Sequence, residues 1–410
     1  MMDHTLVSQF LGMLVVMLAI AKLGGALARG LGQPAVLGEL VGGVVAGPSV
    51  LGWVDPYHET LQLLAELGVL ILLFAIGLET DLAQLLRVGV TSLTVAVVGV
   101  FLPFALGYVA CLSLGLSDLR SIMAAATLTA TSVGITARVL SDLGRLRTEE
   151  GQIILGAALI DDVLGLLLLT IIEGLSAGQQ VSATIILSAA ARAIGFLVVT
   201  TLVGKWVIPR LFRLAQRVEL PGTITVFAVV LALSMAWLAD RCGSAMIIGA
   251  FAGGLLLAGV PQAHEIERGI AGLGHFLVPI FFVSVGTSVD LGALDPFQPA
   301  SRFALLAGGV LIAVGIVGKL LAGYAPFWFQ GNKTVIGVGM VPRGEVGLIF
   351  ARIGLASGVF DAGLFGAATL MVMVTTLLVP PCLKRLLERS TSSPFHPEEP
   401  EVIQDLVTEA

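Results

Sequence analysis

The chain is 410 residues long, 57% hydrophobic and only 12% charged, with mean hydropathy +1.00. Soluble domains carry about 25% charged residues, so half that density over the whole length excludes a soluble enzyme on one anchor and indicates a polytopic membrane protein. The net charge of −6 comes with no basic patch, no arginine-rich arm, and no GxGxxG or P-loop motif, which argues against nucleic-acid partners and nucleotide cofactors.

About 20 apolar residues span a bilayer as a helix. Taken in chain order, suitable segments fall near 6–28, 34–52, 61–79, 88–115, 119–142, 150–173 and 182–204, then 221–239, 243–260, 270–289, 302–325, 333–358 and 362–383. The first segment follows "MMDHTLVSQF", which has an acid and no Lys or Arg, unlike a secretory signal; it is read as a retained span. Thirteen crossings with the N-terminus outside put fourteen of the 22 Lys and Arg on one side, among them Arg29, Arg87, Arg145, Arg147, Arg210 and Lys384. Only Arg120, Arg241, Arg302 and Arg352 fall on the other. Because cytoplasmic loops collect cations, the pattern predicts N-terminus out and C-terminus in. Residues 390–410 form a short acidic tail. Lys22 and Arg192 are placed to snorkel to an interface, whereas Lys319 and Arg343 sit deeper. Cys111, Cys242 and Cys382 lie in apolar stretches and read as packing residues.

The chain repeats itself. Gly38, Gly42 and Gly43 match Gly249, Gly253 and Gly254 at an offset of 211; Gly77 and Asp81 match Gly286 and Asp290 at 209; Gly134 matches Gly347 at 213. Seven segments separate each pair, so the second copy is upside down. The reading is a single membrane unit over 1–389, with repeat one at about 6–173, a linker helix at about 182–204 and repeat two at about 221–385. Inverted repeats mark secondary transporters, whose sites lie at the midplane where broken helices meet. Segments five and twelve carry the breaking residues, "ATSVG" and "VPRGEVG".

Asp161 and Asp162 stand side by side in "GAALIDDVLGLLLLT". An ionised group deep in a membrane costs several kcal/mol and usually has a function and a partner. Adjacent helical residues point about 100° apart, so the two acids face different surroundings, one towards a cavity and one towards a neighbouring helix. A carboxylate that holds either a proton or a small cation, never both, is the core of cation/proton exchange. Lys319 needs a carboxylate if it is buried, and either aspartate could supply it. Arg343 and Glu345 are expected to pair or to tether the broken helix, in a structural or gating role. Glu39 reads equally as a cavity-lining proton-path group or a structural partner. The hydroxyls of Thr127, Thr129, Thr131 and Ser132 could ligate a cation or bond back to carbonyls.

Together "QPAVLGELVGGVVAGP", "TATSVGITARVLSDLG", "LGAALIDDVLGLLLL", "IVGKL" and "VPRGEVGLI" resemble the monovalent cation:proton antiporter-2 family over roughly residues 6–385. The resemblance implies an all-α sodium/proton antiporter fold with a six-helix core domain, two crossed unwound helices and a dimerisation domain. It also implies a homodimer in the bacterial inner membrane, with lipid and monovalent cations as partners and no cofactor beyond transported Na⁺ and H⁺. By the same resemblance, Asp162 carries the Na⁺ or the proton, Asp161 pairs with Lys319, Thr131 and Ser132 lie beside the site, and Arg343 and Glu345 lie on the second unwound helix. An Asp rather than Asn at 161 implies electrogenic exchange, and the lack of a Gln-Asp pair with a nucleotide-binding tail favours Na⁺ and Li⁺ over K⁺. Three rivals remain: an uncoupled cation channel, an organic-anion symporter on a similar fold, and an intramembrane enzyme. The last is disfavoured by five scattered histidines.

Overall fold

The computed structural model describes residues 4–176, 183–215, 222–289 and 299–389. Sixteen α-helices run in order: α1 (His4–Gly30), α2 (Ala35–Ala46), α3 (Glu59–Glu79), α4 (Leu82–Arg87), α5 (Gly89–Ser113), α6 (Asp118–Ala126), α7 (Val133–Asp142) and α8 (Glu149–Ser176). After them come α9 (Ala183–Ala215), α10 (Thr223–Arg241), α11 (Met246–Leu257), α12 (Ala263–Thr287), α13 (Pro299–Tyr324), α14 (Lys333–Gly339), α15 (Glu345–Ala356) and α16 (Ala362–Arg389). Nine of the described helices are long and apolar enough to cross a membrane. The short apolar α2 and α11, and the broken pairs α6/α7 and α14/α15 counted once each, bring the crossings to thirteen.

Several boundaries differ from the hydropathy reading, each for a local reason. The segment expected at 34–52 stops as a helix at Ala46, because Gly47 leaves the helical region at ψ 176 and Pro48 follows. Its repeat counterpart α11 is equally short. Helix α12 begins at Ala263 rather than near 270: "AHEIERG" is too polar to lie in lipid but is a good helix former, with Glu265 in the first turn. The short α4 was not expected, although Asp81 marks it: its carboxylate accepts from Ala83 N at 2.8 Å as an N-cap. Asp290 lies outside the described residues, as does the tail at 390–410.

The helices assemble into two bundles. The first holds α1, α2 and α3 with α10, α11 and α12; the second holds α5 to α8 with α13 to α16. Helix α9 touches α8, α10 and α11, and so stands between the bundles. Glycine decides the packing of the first bundle. A Cβ on Gly43 would meet the Val283 carbonyl and, at 2.9 Å, the Gly286 Cα. A Cβ on Gly254 would meet the Phe74 carbonyl and, at 2.8 Å, the Leu78 nitrogen. Gly286 and Gly77 stand in the same relation to α2 and α11, with Leu40 O and Phe251 O against them. The glycines that reveal the repeat in the sequence are therefore the places where α2 crosses α12 and α11 crosses α3, backbone against backbone. A further matched pair, Gly38 against Gly24 and Gly249 against Met235, closes α1 on α2 and α10 on α11.

The seam between the bundles is unequal at its two ends. Where the ends of α3, α7 and α11 meet, at the arginine-rich end, a cleft of about 810 Å³ is lined by Glu79, Asp81, Gln84, Arg147, Thr148 and Leu256 among others. Arg147 Nε reaches the Glu79 carbonyl at 3.1 Å, and across another part of the seam Lys384 Nζ of α16 donates to the Gly32 carbonyl between α1 and α2. Towards the opposite end, Leu40, Val44 and Val285 of the first bundle close on Leu348, Val372 and Leu377 of the second, leaving a void of about 20 Å³. There Arg352 lies over the Tyr57 ring at 5.7 Å.

Candidate functional site

Two helix breaks cross inside the second bundle. Helix α6 ends at Ala126 and α7 resumes at Val133; α14 ends at Gly339 and α15 resumes at Glu345. The second break follows from its sequence: Pro342 has no N–H to donate and bars its predecessor from the helical region. Gly344 then lets the strands touch, since a Cβ there would sit 2.7 Å from Ser132 Oγ. Each break leaves the carbonyl end of one half-helix and the amide end of the other unsatisfied, with their opposed dipoles.

The crossing satisfies several of those groups from the opposite repeat, while α16 of the same repeat serves the Arg343 carbonyl. Ser132 N donates to the Pro342 carbonyl at 2.8 Å. Thr136 Oγ1 donates to the Gly339 carbonyl at 2.7 Å. Arg343 Nη1 donates to the Thr129 and Ala130 carbonyls at 3.0 and 2.9 Å, and Thr376 Oγ1, on α16, donates to the Arg343 carbonyl at 2.5 Å. Arg343 is 0% exposed, so its charge sits inside the protein against the carbonyl ends of the first break. Its Nε and Nη2 have no hydrogen-bond partner among the described residues.

Helix α8 carries the two aspartates past this crossing. Gly165, one turn on, faces Ala130 Cβ and Val346 Cγ1 at 3.7 Å, so this face of α8 packs on both breaks at once. Asp161 is 0% exposed, and its Oδ2 accepts from Lys319 Nζ at 2.6 Å and from Thr131 Oγ1 at 2.6 Å. Of the two partners open to Lys319, the side chain reaches Asp161. Its ammonium, also 0% exposed, has Asp162 and Arg343 within electrostatic reach. Asp161 Oδ1 has no partner among the described residues. Asp162 points about 100° away and is 4% exposed. Asp161, Lys319, Thr131 and Arg343 thus converge, with Asp162 and Ser132 beside them.

The remaining expected residues separate. Glu39 is buried on α2 in the other bundle, where its charged neighbours are Arg138, Asp142, Lys22 and Arg29; its Oε2 has no partner among the described residues. It belongs to the bundle seam, away from the crossing. Glu345 begins α15, and its side chain lies outside the described residues. Thr127 and Thr129 bond back to the Ala124 and Ala126 carbonyls at 2.6 and 2.8 Å, the helix-internal alternative. The large cleft includes neither aspartate in its lining. Sequence reasoning missed Thr136 and Thr376. A hydroxyl in an apolar helix ordinarily bonds its own backbone, as Thr375 does to the Met371 carbonyl at 2.8 Å, and nothing in the local sequence separates Thr376 from it.

A chain folded as two inverted repeats, with broken helices crossing beside a buried carboxylate–ammonium pair, has the architecture of a secondary transporter. Comparison with known proteins agrees: a model of the sodium/hydrogen exchanger transmembrane family matches residues 15–389, and the chain belongs to that family. It is 39% identical to the high-affinity Na⁺/H⁺ antiporter NhaS3 of Synechocystis, over 94% of this chain and 91% of that protein. It is 34% identical to the Na⁺/H⁺-K⁺ antiporter GerN of Bacillus cereus, over 92% of this chain and 96% of that protein. The fold superposes on the sodium proton antiporter MjNhaP1 of Methanocaldococcus jannaschii with a TM-score of 0.66 at 18% identity, covering 93% of this chain and 97% of that one.

Proposed function

We propose that this chain exchanges Na⁺ or Li⁺ for H⁺ by alternating access, electrogenically, as a homodimer in the bacterial inner membrane with its N-terminus outside. The observation that carries the reading is the fully buried Asp161–Lys319 pair with Asp162 adjoining it at the crossing of the two breaks. Asp162 holds either the transported cation or a proton, so loading one requires release of the other. Thr131 and Ser132 stand beside it as hydroxyl oxygens, and Arg343 braces the breaks. Residues 1–389 act as one transporter unit, with repeats and linker as expected from the sequence.

In the cycle, the second bundle moves against the first. The open cleft at the arginine-rich end and the apolar seam at the other support an inward-facing state. There Asp162 exchanges its proton for Na⁺ from the cytoplasm. Arrival of the cation breaks the Asp161–Lys319 pair, and Lys319 can then release a proton as part of the cycle, which makes the exchange electrogenic. Facing outward, Asp162 gives up Na⁺ and takes a proton back, Lys319 recovers its own proton, and the Asp161–Lys319 pair closes again. Glu39, buried at the seam with Arg138 and Asp142 of α7 among its charged neighbours, contributes to gating.

A second reading, K⁺/H⁺ exchange, draws on one specific finding: GerN is named for K⁺ as well as Na⁺. Proteoliposomes with an imposed pH gradient and a lumenal pH dye decide between them. Dequenching by NaCl and LiCl in the parent, lost in Asp162→Asn, is expected. A response to KCl alone selects the second reading, and an undiminished response in Asp162→Asn refutes the role of that residue.

A further inference from the structure

Three carbonyls of the second break are engaged by donors from elsewhere. Gly339 O is taken by Thr136, Pro342 O by the Ser132 amide and Arg343 O by Thr376. Met340 O differs. The Thr131 hydroxyl that approaches it, at 3.2 Å, also lies 2.6 Å from Asp161 Oδ2. A hydroxyl has a single hydrogen to donate. Asp161 Oδ2 bears charge, and its separation is the shorter, so the hydrogen belongs to the carboxylate while the Asp161–Lys319 pair is closed. Thr131 is 3% exposed, so no bulk water is at hand to supply Met340 O.

We propose that Thr131 is a positioning residue that couples the ion pair to the second broken helix. With the pair closed, its hydrogen serves Asp161. When the pair opens, Asp161 shifts away and the hydrogen passes to Met340 O, drawing the end of α14 towards the first break. The transfer needs only a turn of the hydroxyl hydrogen about the Cβ–Oγ1 bond, because both acceptors already lie within reach. The two repeats thereby exchange information about cargo through one hydroxyl rather than through movement of the whole crossing. This rests on the proposed opening of the Asp161–Lys319 pair by the incoming cation.

Isotope-edited infrared difference spectroscopy on the intact transporter tests it. With carbonyl-¹³C methionine, the Met340 band is isolated by subtracting the spectrum of Met340→Leu. Adding NaCl should lower its frequency in the parent and in Thr131→Ser, but not in Thr131→Val. In proteoliposomes, Thr131→Val should cut the exchange rate by about two- to tenfold, the size of one lost neutral hydrogen bond to the Met340 carbonyl, with little change in KM for Na⁺, and Thr131→Ser should restore it. A rise in KM with the rate unchanged would make Thr131 a cation ligand and overturn the proposal. So would a Met340 shift that survives in Thr131→Val, or no shift in a parent that exchanges normally. Absence of exchange in the parent would instead sink the functional reading beneath it.

Discussion

Removing the ammonium from Lys319, by Lys319→Met, leaves Asp161 ionised in a site that is 0% exposed. Its Oδ2 would keep only the Thr131 donor, and Oδ1 has none among the described residues. Opening a buried pair in this way costs about 3–5 kcal/mol, because the surviving charge is stranded. Arg343, within electrostatic reach of Asp161, places the expected loss near the lower end of that range. Asp161→Asn strands the opposite charge: Lys319 keeps Arg343 within electrostatic reach and only the Asp162 carboxylate to offset it, and the loss should be similar. The double variant Asp161→Asn/Lys319→Met strands neither, so it should be more stable than either single one. Reversible unfolding in mixed micelles by SDS reads these differences directly, and the four proteins form a double-mutant cycle. If the losses simply add, or if Lys319→Met is as stable as the parent, the pair does not hold the crossing together and the argument from burial fails.

Other outcomes follow from the same contacts. Gly254→Ala and Gly77→Ala should each destabilise by about 1–3 kcal/mol, as overpacked interiors do, because the added carbon meets the Phe74 or Phe251 carbonyl. Gly165→Ala, with its nearest neighbours at 3.7 Å, should be neutral or gain up to about 1 kcal/mol from helix propensity; SDS unfolding separates the cases. Arg343→Gln gives up the two bonds to Thr129 O and Ala130 O, each about 1.5–3 kcal/mol for a charged donor. It should lower stability and speed hydrogen exchange at the Ser132 amide, with Arg343→Lys intermediate.

How much of this could be read from the sequence depends on what kind of feature carried it. Crossings were legible because lipid imposes length and apolarity, and the repeat was legible because close helix contacts demand glycine at fixed positions such as Gly43, Gly77, Gly254 and Gly286. Helix ends were less so: hydropathy ignores where backbone hydrogen bonds stop, so α2 was drawn through Gly47 and Pro48 and the polar start of α12 was cut away. At the site, the acids and Lys319 stood out because charge is rare in apolar segments. Which aspartate Lys319 reaches is a matter of helix rotation, and the residues alone left it open. Thr136 and Thr376 stayed hidden because their carbonyl partners lie 203 and 33 residues away, a distance no local pattern spans.

The glycine contacts of the first bundle have a mechanical consequence. Where α2 meets α12 and α11 meets α3, no rotamer exists to freeze or thaw, so these crossings have no side-chain entropy with which to soften as temperature rises. Nor is there room at them for a lipid tail or a water molecule to wedge in. Motion is thereby denied to the frame and left to the seam, where side chains rather than backbones face each other and a few polar contacts can be exchanged for others.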